Sequence, residues 1–142
     1  CHPQYMYKYR SLEAWKRAHA AVIAVLRATG KPSHPRTWNL FDQLRRATIS
    51  VEANIVEGYA LGSPALYRRH LRIAFGSAAE AECLVRCASE LEYLPRTVVD
   101  EITELLDGAM RTLHGLLRNP TIVPDRPHSP ASPRPRSTVV SR

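Results

Sequence analysis

The hydrophobic positions of the chain recur at steps of three and four residues in four segments, which is the period of an amphipathic α-helix. In the first segment the stripe consists of Leu12, Trp15, His19, Val22 and Leu26. In the last segment it consists of Val98, Ile102, Leu105, Ala109, Leu113 and Leu116. No stretch alternates convincingly with a period of two, so we expect helices and no strands.

Helix-starting and helix-ending residues separate the four segments. We expect the helices to be capped at their N-termini by Ser11, Thr37, Ser63 and Thr97. We expect them to end at Gly30–Pro32, at Gly58 or Gly62, at Leu94–Pro95 and at Asn119–Pro120. Because the linkers are short, consecutive helices should be antiparallel. The pattern therefore predicts an all-α, up-down-up-down four-helix bundle over residues 1–118.

The second segment carries two separate apolar stripes rather than one. Leu44, Thr48, Val51 and Ile55 fall on one face of a helix, and Ile49, Ala53, Val56 and Ala60 fall on another. The first stripe suits the core of the bundle. The second could touch another helix of the same chain, but two resolved stripes favour a neighbouring subunit. The pattern therefore indicates an oligomer.

The third segment repeats this pattern and adds carboxylates. One face carries Leu71, Ala74, Ala78 and Val85, and the other carries Ile73, Gly76, Leu84, Cys87 and Leu91. Glu80 falls within the second stripe and Glu82 beside the first, where an unpaired carboxylate is costly. We expect Arg45 and Arg46 to pair with them. Glu57 joins this predicted set of structural ion-pair and oligomer residues.

The charge of the chain is uneven. The net charge is +7, and residues 1–50 carry nine Lys/Arg against two acids, whereas residues 51–118 carry seven against ten. Residues 119–142 carry four against one and contain six prolines, which predicts a flexible Pro/Ser/Arg-rich tail. No apolar run reaches 18 residues, and three cysteines do not suit a disulfide scaffold. We expect a cytoplasmic protein with no membrane span.

Catalytic and metal-binding patterns are weak. The Glu-x-x-His pairs of di-iron bundles do not occur. Cys83 and Cys87 could ligate zinc with His114, but two cysteines on an apolar face are better explained as core residues. Glu57, Glu80 and Glu82 could form a carboxylate group, but no nucleophile or phosphate loop accompanies them. We therefore expect a non-enzymatic protein with no catalytic residue, cofactor or metal.

Two basic clusters are candidate nucleic-acid contacts. The first, at the start of helix one, contains Lys8, Arg10, Lys16 and Arg17 beside Tyr5, Tyr7 and Tyr9, and aromatic rings between cations can stack on unpaired bases. The second contains Arg68, Arg69 and Arg72 at the start of helix three. Cations there oppose the helix dipole, which favours a binding role. Solvated helix ends are the alternative explanation.

Three stretches of the chain resemble a known bacterial family. They are "YRSLEAWKRA", "QLRRATISVEANIVEG" and "LRIAFGSAAEAECLVRCASELEYL", and they resemble the four-helix-bundle proteins found in 23S rRNA intervening sequences. That family is similar to the accessory variability determinant (Avd) proteins of diversity-generating retroelements. The resemblance covers Tyr9 to Asn119. Glu52 and Val56 depart mildly from its pattern.

The resemblance implies a homopentameric ring with a basic surface, which in retroelements binds reverse transcriptase and template RNA. Together with the charge, it favours a non-enzymatic, oligomeric scaffold that binds RNA or DNA, with a reverse transcriptase as a partner. The alternative is a protein-interaction adaptor of the rRNA intervening-sequence type, with no direct nucleic-acid role.

Overall fold

The computed structural model describes residues 7–31 and 34–119. It contains four α-helices, which we number α1 (Glu13–Thr29), α2 (Trp38–Leu61), α3 (Pro64–Glu90) and α4 (Arg96–Arg118). Short 3-10 helices, Lys8–Ser11 and Pro35–Thr37, precede α1 and α2, and no strand occurs in the described part of the chain. The all-α prediction is confirmed. The predicted tail lies outside the described residues, apart from Asn119.

Side-chain bonds between the helices establish that neighbours are antiparallel. His19 Nδ1 and Glu52 Oε1 lie 2.8 Å apart, and Arg45 Nη1 donates to the Thr29 carbonyl over 3.1 Å. Residues later in α1 therefore pair with residues earlier in α2, so the two helices run in opposite directions. Contacts join α1 to α2, α2 to α3, α3 to α4 and α4 back to α1. The α1/α4 face and the α2/α3 face are consequently opposite sides of the bundle.

Inward-facing side chains form two adjoining clusters along the bundle axis. The first lies where α1 begins and α4 ends, and its buried members are Ala14, Ala18, Val51, Ile55, Tyr67, Leu71, Ala74, Ala78 and Leu113. The second lies at the other end, and its buried members are Ala21, Val25, Phe41, Leu44, Ala47, Ala81, Val85, Ala88, Leu94, Val99, Ile102 and Leu106. Burial of this apolar surface is the main driving force for folding.

Several of the predicted helix boundaries are confirmed, among them Gly30 after α1, Thr37 before α2 and Asn119 after α4. Gly62 follows the last residue of α2 with a φ of 69°, a left-handed conformation that glycine adopts without a Cβ penalty. Ser63 is the N-cap residue of α3, and Pro64 occupies the first helical position, where its missing N–H costs nothing. Gly62 and Ser63 form the tight turn that places α2 and α3 side by side.

Two predicted N-caps, Ser11 and Thr97, are wrong. Leu12, not Ser11, precedes α1, because the Ser11 hydroxyl donates 2.7 Å to the Lys8 carbonyl within the 3-10 helix. The first residue of α4 is Arg96, so Thr97 lies inside the helix and Pro95 precedes it. Thr37 does precede α2, but its hydroxyl donates to the His34 carbonyl instead of capping the helix. In addition, α3 ends at Glu90, before the predicted Leu94.

The two-stripe pattern of α2 and α3 is confirmed as a difference in burial. All of the first-stripe residues on both helices are buried. From the second stripes, Ile49 is 45% exposed, Ile73 42% and Leu91 56%, so no part of the described chain covers them. We call these the outer-stripe residues: Ile49, Ala53, Val56 and Ala60 on the side of α2 next to α1, and Ile73, Gly76, Glu80, Cys87 and Leu91 on the outer side of α3. Leu84, also predicted for the second stripe of α3, instead packs against the core.

Candidate nucleic-acid interface

The first basic cluster lies on a short 3-10 helix that is fixed against the start of α1. The amide of Arg10 donates 3.0 Å to the Tyr7 carbonyl, and the amide of Leu12 donates 3.0 Å to the Tyr9 carbonyl. These bonds turn the chain so that Lys8 and Arg10 are exposed while Leu12 packs on the core. The predicted N-terminal cations are therefore held at the outside of the bundle.

A series of ring contacts runs from this segment onto α1. The Arg10 guanidinium lies 4.7 Å from the centre of the Tyr7 ring and 5.9 Å from that of Tyr9. Tyr9 meets Trp15 edge-on at 5.4 Å, and Trp15 stacks on His19 at 4.8 Å. Tyr9 and Trp15 are thus structural, whereas Tyr7 is 50% exposed. Tyr5, the third predicted aromatic residue, lies outside the described residues.

Lys16 and Arg17 share one carboxylate. Lys16 Nζ is 3.7 Å from Glu13 and Arg17 Nε is 3.3 Å from it, with all three side chains exposed. Such exposed pairs contribute about 0–1 kcal/mol, so they would release either cation to a phosphate at little cost. The Arg17 side chain also lies over Gly108 of α4, where an added Cβ would meet its Nη1 at 2.6 Å. Arg17 is therefore partly a packing residue.

The second basic cluster occupies the first turns of α3. Arg69 and Arg72 are exposed and Arg68 is half-buried. None of the three forms a hydrogen bond or ion pair with another residue of the described chain. They follow the first turn of the helix, residues 64–67, so the partial positive charge of the helix N-terminus opposes them only weakly. This cluster is the more available of the two for a polyanion.

The antiparallel topology brings both clusters to one end of the bundle. We define the basic end as residues 7–20, 50–77 and 108–119, which hold nine Lys/Arg against three acids. The opposite end, residues 21–31, 34–49 and 78–107, holds seven against nine. Two of the nine basic-end cations, Arg111 and Arg118 on α4, are exposed and absent from the predicted clusters. Residues seven apart lie on the same face of a helix, and this spacing could have identified the pair from the sequence.

The predicted pairing of Arg45 and Arg46 with Glu80 and Glu82 is wrong. Both arginines approach Asp42, at 3.8 and 3.0 Å, because one helical turn places them on the same side of α2. Glu80 is exposed and accepts a 2.6 Å hydrogen bond from Gln43 Nε2. Glu80 therefore takes part in no buried ion pair among the described residues.

The other two carboxylates of that set also have different partners. Glu82 accepts a 2.8 Å hydrogen bond from Arg86, one turn later on α3, which raises the pKa of the Arg86 guanidinium. Glu57 is exposed and lies 3.7 Å from His70 Nδ1. Both contacts are near the surface. Glu57, Glu80 and Glu82 therefore do not come together as a carboxylate group among the described residues.

Cysteine positions also differ from the expectation of packing residues. Cys83 and Cys87 are both exposed on α3, and His114 contacts Phe75 on another side of that helix. Among residues 7–31 and 34–119, no three His, Cys, Asp or Glu side chains lie close enough to hold a metal. No helix in the same ranges combines the length and apolarity that crossing a bilayer requires.

Comparison with known proteins identifies one family. No curated protein matches the chain. The model of the 23S rRNA-intervening sequence protein family matches residues 10–115, a range that runs from the N-terminal 3-10 helix nearly to the end of α4. It includes both basic clusters except Lys8. The chain belongs to the 23S rRNA-intervening sequence protein family.

Proposed function

We propose that the protein is a non-enzymatic, oligomeric scaffold that binds RNA or DNA through its basic end. The observation that carries this proposal is the segregation of charge, with nine Lys/Arg against three acids at one end of the bundle. Exposed cations attract phosphates, because their contact with the nucleic acid releases condensed counterions. The basic end can supply this contact without any rearrangement of the helices.

Contacts of this kind recognise the phosphate backbone of the nucleic acid and not its base sequence. Most of the cations are long, exposed side chains on helix surfaces, and among residues 7–119 the described part of the basic end has no projecting element that could enter a groove. We therefore expect weak sequence preference and strong salt dependence. Tyr7, with its exposed ring beside Arg10, adds a surface on which an unpaired base could stack.

Assembly of several copies would strengthen this binding. The outer-stripe residues Ile49, Ile73 and Leu91 stay exposed on one protomer, which supports a homo-oligomer. The resemblance to Avd proteins implies a pentamer, and every added copy would contribute another charge of +7. Several weak phosphate contacts on one particle combine into higher avidity.

The resemblance also supports a specific setting for this activity. We propose a cytoplasmic accessory protein of a diversity-generating retroelement, which binds a reverse transcriptase and template RNA. No cofactor is needed for this role. We expect a reverse transcriptase encoded beside this gene to co-purify with the protein. This co-purification should require the scaffold and should survive nuclease treatment.

Fluorescence anisotropy with a labelled single-stranded RNA tests the nucleic-acid proposal. Lys16→Glu with Arg17→Glu, and separately Arg69→Glu with Arg72→Glu, should each weaken binding at low salt by tenfold or more. The logarithm of the binding constant should fall linearly with the logarithm of salt, with a slope of about −0.7 per phosphate neutralised on a single strand. Each double variant should reduce the magnitude of that slope.

A matched control separates local contact from total charge. Arg86→Glu with Arg96→Glu makes the same change of charge at the opposite end, where both arginines are exposed. This control should bind almost as tightly as the parent. If all three double variants bind equally, the basic end is not the contact surface.

An adaptor without a direct nucleic-acid role is the second candidate. It is favoured by Leu61 and Leu66, which are 53% and 38% exposed beside the α2–α3 turn at the basic end, where phosphate contacts would make no use of them. In a pull-down, the adaptor should no longer capture its partner protein when residues 120–142 are deleted. Its affinity for RNA, if any, should stay the same. Capture that survives the deletion would remove the C-terminal residues from this role.

A further inference from the structure

The turn between α2 and α3 carries an apolar surface at the basic end of the bundle. Ten consecutive residues, 58–67, contain no charged side chain. Five of them are exposed and apolar, and we call them the apolar turn: Ala60, Leu61, Pro64, Ala65 and Leu66. Exposed turns usually consist of polar residues with glycine or proline, so an apolar one indicates a contact surface.

The two leucines of the apolar turn are not needed for the protomer core. Leu61 is 53% exposed and Leu66 38%, and neither belongs to a core cluster. The turn is made by Gly62, with its positive φ, and by Ser63 and Pro64 at the start of α3. Polar residues at positions 61 and 66 would allow the same turn, whereas leucines there leave apolar surface in water, which is unfavourable.

Exposed arginines lie directly behind the apolar turn. Arg69 and Arg72 follow Leu66 by three and six residues on α3. A rise of about 1.5 Å per residue places them about 4.5 Å and about 9 Å farther along the helix. Arg118, the last residue of α4, is exposed at the same end of the bundle. This end thus presents leucines at its extremity and cations behind them.

We propose that the basic end docks on an anionic phospholipid bilayer, with Leu61 and Leu66 inserted at its surface. Apolar side chains of interfacial protein segments are buried about 5–10 Å into the boundary between headgroups and acyl chains. Leucines at that depth would bring Arg69 and Arg72 to the level of the lipid phosphates. Cations near an anionic membrane surface strengthen binding, and salt weakens this attraction.

A lipid surface is the partner that would use both features of this end. A nucleic acid offers phosphates to the arginines but no hydrocarbon to the leucines, whereas an anionic bilayer offers phosphates above a layer of hydrocarbon. This inference goes beyond the proposed function and does not depend on it, but the two share Arg69 and Arg72. RNA and anionic vesicles should therefore compete for the protein.

Co-sedimentation of the full chain with vesicles tests the proposal. The parent should bind vesicles made of phosphatidylcholine and phosphatidylglycerol in equal parts, and it should bind phosphatidylcholine vesicles far more weakly. Leu61→Ser with Leu66→Ser should reduce the partition constant on the anionic vesicles by about tenfold or more, because each serine removes buried hydrocarbon. Arg69→Glu with Arg72→Glu should reduce it by a similar factor.

A second measurement separates the leucines from the arginines. In RNA anisotropy, the leucine variant should bind like the parent and the arginine variant should bind more weakly. Leu26→Ser is the control, since Leu26 lies at the opposite end and is exposed to the same 38% as Leu66. It should bind anionic vesicles like the parent, whereas Leu66→Ser should bind them less tightly.

Anionic vesicles that fail to bind the parent, or that bind the leucine variant as tightly as the parent, would overturn the membrane proposal. RNA binding by the same parent would leave the proposed function intact. A leucine variant that also loses affinity for RNA would overturn the membrane proposal too, because Leu61 and Leu66 would then act in nucleic-acid binding or in folding. Vesicle binding by a parent that binds no RNA would support this inference and overturn the nucleic-acid role.

Discussion

At the scale of single residues, Tyr67 is a buried group whose polar atom has no partner. Its side chain is 5% exposed at the start of α3, and its hydroxyl forms no hydrogen bond with the described residues. Burial, with a smaller contribution from Tyr59, raises the pKa of Tyr67 above its ordinary value of 10.0. A buried hydroxyl without a partner costs about 1–3 kcal/mol.

We predict that Tyr67→Phe raises the free energy of unfolding at pH 7 by about 1 kcal/mol, because it removes this cost. Below pH 10 the hydroxyl is neutral in both states, so pH has no effect through it. Above pH 10 the unfolded chain ionises first, so the parent loses stability as pH rises and the variant loses less. Urea unfolding at pH 7 and pH 10.5 measures both effects. Lower stability of the variant at pH 7 would show that the hydroxyl has a partner.

Two glycines should respond in opposite directions to the same substitution. A Cβ on Gly58 would lie 2.8 Å from the His70 Cβ and 3.3 Å from the Tyr67 ring, whereas nothing lies within 4 Å of one on Gly115. Overpacking costs about 1–3 kcal/mol, which exceeds the helix-propensity gain. Thermal unfolding should show a lower Tm for Gly58→Ala and a slightly higher Tm for Gly115→Ala. Equal shifts would mean that α2 and α3 separate easily at Gly58.

Residue types alone did not identify the buried side of α1. The sequence predicts a stripe through Leu12, Trp15, His19, Val22 and Leu26, yet Leu26 is exposed and Trp15 and His19 are half-buried. The buried residues are mainly small ones: Ala14, Ala18, Ala21, Val22, Val25 and Thr29. Helices that approach closely bury alanines at the line of contact and leave larger side chains at its margins. A prediction based on large hydrophobic residues therefore placed the stripe of α1 beside its contact with the other helices and not at the centre of that contact.

At the scale of helices, the two stripes of α2 predict two different energetic roles. Ile55 is fully buried, and Ile49 on the other stripe is 45% exposed. We expect Ile55→Ala to cost about 2–5 kcal/mol in the unfolding of the protomer, through lost burial and a cavity. Ile49→Ala should change it by no more than about 0.5 kcal/mol. Urea unfolding at low protein concentration measures the difference, and similar losses would mean that both stripes belong to the core.

The helices themselves were largely predictable, and their exact ends were not. Periodicity and the Gly62–Pro64 turn indicated the number, order and antiparallel arrangement of the helices. The start of α1 was missed because the Ser11 hydroxyl has a competing acceptor, the Lys8 carbonyl, in the preceding 3-10 helix. Partners for Glu80 and Glu82 were missed because bonds to Gln43 and Arg86 are local or depend on the register of α2 against α3. Sequence spacing does not specify that register.

At the scale of the whole molecule, the segregation of charge depends on topology. Along the chain the basic clusters are separated by about 50 residues, and acids are spread through the second half. An up-down-up-down fold brings the start of α1, the start of α3 and the end of α4 to one end, so cations that are distant in sequence share one surface. The two clusters could be predicted from sequence. That these clusters share one surface with Arg111 and Arg118 could be seen only from the folded structure.

Assembly should also be visible in the stability of the molecule. If copies associate only when folded, mass action makes Tm rise with protein concentration. We expect a rising Tm for the parent between 1 and 100 µM, and a constant Tm for Ile49→Arg with Ile73→Arg, which change two exposed outer-stripe residues. At the lowest concentration the two Tm values should converge, because the protomer core is the same. A parent Tm that does not change with concentration would mean that the exposed stripe stays uncovered, and that each protomer folds and binds its partners alone.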